Sequence, residues 1–208
     1  MKKIKYFFEF IIIYLLFLFF KIIGYKRASD LGERIGKKVG PYFRSNKKIH
    51  QNLMESKIFC DRNSNEKLIS SMWGNYGRIL SEYPFIKDFK EEKLSNYITI
   101  IGEENLNKLK KENQQAIFIS GHFNNFELMA MQIEKSGIKL AAIYRPLNNI
   151  YLNTIMENIR KKYICKKQIK KGKSGIRDII NLIQQGFSVA LMIDQRVSEG
   201  IKSKFFGR

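Results

Sequence analysis

Hydrophobic positions along the chain fall into three regimes. From Phe7 to Ile23 only Glu9 and Lys21 interrupt an apolar segment, and Phe10 to Phe20 carries no charge. A run with no polar face is a poor core helix. Its length is at the short end of the roughly 17 to 25 residues a bilayer span needs, so it predicts an anchor that crosses the membrane or lies in one leaflet. Lys2, Lys3 and Lys5 precede the run, and Lys26, Arg27, Arg34, Lys37 and Lys38 follow it, so flanking charge does not orient it. No small-x-small cleavage pattern follows, which favours an anchor that is retained.

The second regime has helical period. Ala28 to Gly40 places Leu31, Ile35 and Val39 on one face and breaks at Gly40-Pro41. Lys47 to Ile58 reads as a short basic helix. Asn63 to Tyr83, with Ser64 as its expected cap, carries Leu68, Met72, Trp73, Tyr76, Ile79 and Leu80 along one broad face and ends at Pro84. Trp73 is expected to pack rather than to recognise a ligand.

From Tyr97 onward strands and helices alternate. Tyr97–Ile101, Ala116–Ser120, Leu140–Tyr144 and Ser188–Ile193 read as strands; Glu103–Glu112, Asn124–Ser136, Ile150–Tyr163 and Gly175–Gln185 read as helices. That rhythm predicts an α/β fold, with a mostly parallel sheet flanked by helices. The expected organisation is an anchor over residues 1–24, a helical region over 25–96 that packs on the following domain, and an α/β core over 97–208.

Composition adds an electrostatic constraint. Among 208 residues, 38 are basic and 19 acidic, a formal charge of +19 that calls for an anionic partner such as an acidic protein, an anionic membrane face or nucleic acid. The densest basic run is Arg160, Lys161 and Lys162, continuing through Lys166, Lys167, Lys170 and Lys171 without an acid between. No zinc-finger spacing or RNP pattern accompanies these lysines, so nucleic acid is not the expected partner. Cys60 and Cys165 stand apart, without metal spacing, and suit a reducing compartment.

The organising stretch is Ile117–Glu127. An apolar strand delivers Ser120-Gly121-His122, and an amphipathic segment starts at once, which places polar side chains at the rim of a parallel sheet, where such folds bind ligands. His122 is one of two histidines. A chain that folds back across the turn lets Glu127 reach its ring, making a general base with a fixed tautomer; the alternative is a loop histidine and a solvated glutamate. Arg145, at the end of Leu140–Tyr144, is suited to a phosphate or a developing oxyanion, or else to a salt bridge with a neighbouring helix. Ser120 lies in no Gly-x-Ser-x-Gly elbow, and Lys171–Gly175 lacks the phosphate-loop spacing. A serine hydrolase and an ATP site are therefore not expected.

Gly121-His122-Phe123-Asn124-Asn125-Phe126-Glu127 resembles the His-x4-Asp/Glu block of the late acyltransferases of lipid A biosynthesis, the lauroyl/myristoyl transferase family. Ile143–Asn149 is similar to its second block, and Ile193–Arg196 with Phe205–Arg208 to its third. The resemblance implies a membrane-bound O-acyltransferase that uses no cofactor beyond an acyl carrier protein thioester, with a Kdo-bearing lipid A precursor as acceptor. It implies His122 and Glu127 as the catalytic pair, and Arg145, Gly121 and Asn125 as groups for the oxyanion or phosphate. Asp194 and Gln195 would shape the site without moving a proton, and no metal is expected. Lys161, Lys162, Lys166, Lys167, Lys170 and Lys171, with Arg160, would face the acidic carrier or an anionic inner membrane, the catalytic domain lying on the cytoplasmic side. The family continues beyond the last residue here, which raises the expectation of an incomplete core. The rivals are a glycerolipid or other glycolipid acyltransferase, and an inactive remnant serving as a basic membrane-bound scaffold.

Overall fold

In the computed structural model, which describes residues 2–44, 46–56, 61–194 and 204, the long apolar run forms helix α1 (Lys2–Ile23). Helix α2 (Tyr25–Val39) follows after Gly24, whose positive φ of 82° permits the change of direction. Helix α3 (Asn46–Glu55) is short, and α4 (Arg62–Glu82) is the long partner of α2. Those two helices meet backbone to backbone. A Cβ on Gly77 would sit 2.0 Å from the Gly32 carbonyl oxygen, and one on Gly40 would lie 2.4 Å from the Trp73 ring. Trp73 thus packs on the end of α2. The cap of α4 is Asp61 rather than Ser64: its carboxylate accepts the Ser64 N–H at 3.0 Å and the Ser64 hydroxyl at 2.6 Å.

Helices α5 (Ile86–Lys90) and α6 (Glu103–Lys111) lead to the sheet. Its strands are β1 (Ile117–Ser120), β2 (Leu140–Tyr144), β3 (Lys167–Lys170) and β4 (Ser188–Met192), all parallel and in the order β1-β4-β2-β3. Helices α7 (Glu127–Lys135), α8 (Ile150–Ile159) and α9 (Lys173–Gln184) connect them. The α/β architecture expected from the alternation is present.

Two local readings change. The segment expected as a strand at Tyr97–Ile101 is a 3₁₀ turn over Ser95–Tyr97 followed by irregular, largely exposed chain, and no strand among the described residues pairs with it. In its place, Lys167–Lys170 inside the basic run forms β3, with only Ile169 buried. One apolar side chain in four is too weak a pattern to read as a strand.

Tyr83, Phe85, Ile86 and Phe89 join Met131, Leu140 and Ile164 in the main core, on the sheet face covered by α7 and α8. A smaller cluster of Ala141, Ile169 and Leu182 seats α9 on the other face. Phe17 and Phe20 of α1 belong to the main core. Because all strands run the same way, the loops after β1, β2, β3 and β4 emerge at one edge, and the candidate chemistry collects there.

Candidate active site

The loop after β1 turns sharply. Asn124 adopts φ 43°, a left-handed conformation that asparagine tolerates, and α7 therefore starts at Glu127 rather than at Asn124. Gly121 is buried at the turn, where a Cβ would meet the Phe123 ring at 2.8 Å and Asp194 Oδ2 at 3.2 Å. The turn leaves His122 at the rim, its ring edge-on to Phe126 with centroids 4.7 Å apart.

The carboxylate on Nδ1 of this imidazole is that of Asp194, at 2.7 Å, and the other oxygen of Asp194 accepts the His122 backbone N–H at 2.6 Å. One side chain thus holds both the ring and the peptide that carries it. The two residues are 72 apart in sequence but adjacent in space, because β1 and β4 are neighbours in register, Ser120 opposite Met192. His122 is 23% exposed and Asp194 37%. Burial raises the Asp194 carboxyl, but the backbone N–H and the ring of His122 outweigh it and hold the group below the usual aspartate value. With Nδ1 donating to Asp194, the neutral ring carries its proton there and Nε2 is the basic nitrogen.

Glu127, the expected partner of His122, instead sits inside. Its Oε1 accepts from Arg160 Nε at 2.8 Å and Nη2 at 2.6 Å, and from the Tyr83 hydroxyl at 3.3 Å. These side chains are nearly inaccessible, at 8% for Glu127 and 12% for Arg160. Arg160 lies over the rings of Tyr83 and Tyr144, and the phenol of Tyr83 is pushed far up by burial and by the Glu127 charge. The first turn of α7 is a favourable place for a carboxylate, at the positive end of the helix dipole. Arg160 opens a π-helical turn, Arg160–Ile164, that extends α8 and closes with the Cys165 N–H on the Arg160 carbonyl. Its expected place in a surface basic patch is therefore corrected: it is the buried counter-ion of Glu127.

Asn125, expected to face substrate, donates its amide to Glu82 at 3.0 Å, and Glu82 also accepts from Ser29 at 2.6 Å. It ties the site loop to α2 and α4 instead. The N–H groups beside Gly121 are likewise committed, that of His122 to Asp194 and that of Phe123 to the Gly121 carbonyl. Arg145 is exposed at the end of β2, with no hydrogen bond or ion pair to its guanidinium among the described residues. Lys161, Lys162, Lys166, Lys167, Lys170 and Lys171 are exposed, Lys161 being paired with Glu157. Gln195 lies outside the described residues. Cys165 is buried, and burial followed by the nearby Glu134 charge pushes its thiol up to about 12, which makes it inert near neutral pH.

His122, Arg145 and Lys171 border one cleft of about 610 Å³. Its lining mixes apolar side chains (Met129, Ala130, Leu147, Ile164, and Ala142 and Ala190, which are paired in register) with the nearly inaccessible Glu127–Arg160 pair and Gln168. Small residues on the strands leave room that larger ones would fill. The arrangement offers a carboxylate-held imidazole and two exposed cations beside a partly apolar cleft.

What sequence reasoning missed is the His122–Asp194 pair. The usable signal was that Asp194 ends a strand, as His122 does; the strand order that makes them neighbours is not written in either segment.

No curated protein and no solved structure gave a match to this chain. The sequence profile described as bacterial lipid A biosynthesis acyltransferase matches residues 1–208. The three motif blocks, the parallel sheet and the cleft at its rim agree with that match, and the chain belongs to the bacterial lipid A biosynthesis acyltransferase family.

Proposed function

We propose that the chain transfers a fatty acyl group from an acyl carrier protein thioester to a hydroxyl of a Kdo-bearing lipid A precursor, with His122 as general base and Asp194 as the carboxylate that orients it. The observation that carries this reading is the 2.7 Å contact between His122 Nδ1 and Asp194 at a cleft bordered by His122 and the exposed Arg145 and Lys171.

The acceptor hydroxyl gives its proton to Nε2 as its oxygen attacks the thioester carbonyl carbon. Asp194 stabilises the imidazolium that forms. The tetrahedral intermediate then collapses, the carbon–sulfur bond breaks, and the imidazolium returns the proton to the carrier's thiolate. The products are an ester and a free carrier thiol, with no acyl-enzyme. Arg145 and Lys171, the exposed cations at the opening, would meet the oxyanion or an acceptor phosphate. A positioned base contributes roughly 10²–10⁴-fold and a preorganised oxyanion donor roughly 10²–10³-fold. The apolar side chains of the cleft lining suit the acyl chain, and the exposed lysines suit the acidic carrier.

In this scheme Glu127 is a positioning residue. Its charge fixes Arg160, which lines the same cleft, and the pair holds the start of α7 against α8. The acceptor remains in a bilayer, so the enzyme works at a membrane. The inner membrane's cytoplasmic face is the side on which both carrier and precursor are available.

The test is transfer of labelled acyl chains from the carrier to the precursor in membranes holding the wild-type chain, His122→Ala or Asp194→Asn. Transfer by the wild type, lost with His122→Ala and sharply lowered with Asp194→Asn, is the expected result. Full transfer by His122→Ala overturns the base assignment. Acylation of a glycerolipid in place of the lipid A precursor overturns the acceptor, and no transfer by folded wild-type protein overturns the catalytic reading.

A further inference from the structure

Glu82, the last residue of α4, is a buried carboxylate that the proposed chemistry does not use. It is 7% exposed, and no lysine or arginine forms an ion pair with it among the described residues. Two neutral donors from different elements satisfy it. Ser29 of α2 donates to Oε1 at 2.6 Å, and Asn125 of the loop after β1 donates to Oε2 at 3.0 Å. Ser29 is itself held: its oxygen accepts from Arg78 Nη1 at 2.7 Å, which leaves the hydroxyl proton for Glu82. The same charge reaches the phenol of Tyr25, which burial first and Glu82 second push up to about 12.

The contact between Glu82 and Asn125 matters more to the loop than to the helices. Helices α2 and α4 already meet backbone to backbone at Gly32 and Gly77, and they need nothing from Asn125 to do so. The loop depends on the contact. Its start is held by Asp194 on His122, and α7 beyond it by Arg160 on Glu127. Between those points, Phe123–Phe126 makes one side-chain hydrogen bond to the rest of the fold among the described residues, that of Asn125 to Glu82. Asn124 is left-handed and Phe123 is 77% exposed, so neither fixes the bend by regular structure or by deep burial.

The asparagine amide records the strength of this tether. A carboxylate only accepts, so Glu82 turns the NH₂ of Asn125 toward itself and leaves Oδ1 buried without a partner. An orphaned buried acceptor is unfavourable, and the bond made by the other end of the amide is what offsets it.

We propose that Glu82 is a positioning residue for His122: through Asn125 it fixes the bend of the loop that presents the imidazole to Asp194, and so links the packed helices α2 and α4 to the reacting group. Two neighbours at the end of α4 then act on one segment, since the hydroxyl of Tyr83 donates to Glu127 at 3.3 Å. Glu82 touches no reacting atom. Its effect is on the fraction of time that the ring donates Nδ1–H to Asp194 and leaves Nε2 free.

The inference rests on His122 as general base, so its test starts with a readout that needs no acyl transfer. Imidazole nitrogen-15 shifts, recorded on the full chain carrying His50→Gln at mildly alkaline pH, distinguish the Nδ1–H from the Nε2–H tautomer of His122. The parent should show the Nδ1–H form. Asn125→Asp sets two carboxylates against each other and should leave a mixture of tautomers while circular dichroism stays unchanged. Adding Glu82→Gln rebuilds the hydrogen bond with its direction reversed, the introduced amide donating to the introduced carboxylate, and should restore the single tautomer. If Asn125→Asp does not fold, Asn125→Ala removes the tether without repulsion and carries the same expectation. In acyl transfer, kcat should follow the tautomer, falling by roughly 10²-fold in Asn125→Asp and returning in the double variant, with KM for the carrier little changed. A folded Asn125 variant that keeps the Nδ1–H form, or a double variant that does not regain it, overturns Glu82 as a positioning residue. These tautomer changes in a chain that transfers no acyl group would support the coupling and overturn the catalytic reading instead.

Discussion

The His122–Glu127 block ends in two side chains that face one cleft, yet each meets its counterpart in a different environment. His122 meets Asp194 at the mouth, where both side chains retain contact with water. Glu127 meets Arg160 inside, where both are nearly inaccessible and Tyr83 completes the shell. A pair at the mouth can exchange a proton with a substrate at little cost, because solvent and an incoming ligand both stabilise the charge that appears. A pair in the interior is held by its own desolvation: removing either member strands a charge in a low-dielectric medium. A short motif can therefore carry a chemical residue at one end and a structural one at the other.

The sharpest way to break this comparison is to remove one interior partner. Arg160→Ala should lower stability by about 3–5 kcal/mol, the range for breaking a buried pair, and thermal melting checks it. Glu127→Leu combined with Arg160→Met should recover much of that loss, because no orphan charge remains. If Glu127 held the imidazole in the reaction, Glu127→Gln would depress turnover with its melting temperature unchanged; the geometry predicts that stability falls as well.

His122→Ala should behave in the opposite way. Transfer should fall by roughly 10²–10⁴-fold while stability falls only by about 0.5–1.5 kcal/mol, the size of the lost ring contact with Asp194. Asp194→Asn should reduce transfer by at most the same factor, since an amide permits the wrong tautomer without removing the ring. An unchanged rate for Asp194→Asn would leave its contact with His122 as a loop brace only.

Much of this arrangement was legible in the residues. The strands Ala116–Ser120, Leu140–Tyr144 and Ser188–Ile193 stand out as short apolar runs, and the turn at Gly121 places His122 at a sheet rim. The partner of His122 was not legible, because it depends on β4 inserting between β1 and β2, a matter of strand order that local pattern does not encode. Five-residue spacing pointed to Glu127 on the assumption that the chain folds back onto the ring. The left-handed Asn124 adds a bend that sends Glu127 toward Arg160 instead. Arg160 itself was hidden among lysines that are exposed, since composition treats a buried guanidinium and a solvated ammonium alike.

A smaller effect should come from the basic surface. Changing Lys166, Lys167 and Lys170 together to glutamate should raise the KM for the acyl carrier, most strongly at low salt, while kcat is retained. Exposed charges act mainly through long-range attraction, which salt screens within about 10 Å at 0.1 M. A KM that does not move would assign these lysines to solvation.

The smallest effect concerns acid, and it acts on the pair at the mouth. Asp194 titrates below the usual aspartate value in the folded chain: burial raises it, but the backbone N–H and ring of His122 lower it further. A carboxyl with a depressed folded pKa contributes stability above its unfolded value, and that contribution disappears as pH falls through the folded one. Asp194→Asn cannot titrate. The wild type's stability advantage over Asp194→Asn should therefore shrink as pH drops below the ordinary aspartate range. Both side chains of the pair keep contact with water, so the change should be modest. Chemical denaturation of both proteins across that range checks it. An advantage that persists at the lowest pH would mean that the Asp194 side chain braces the loop after β1 by shape rather than by charge.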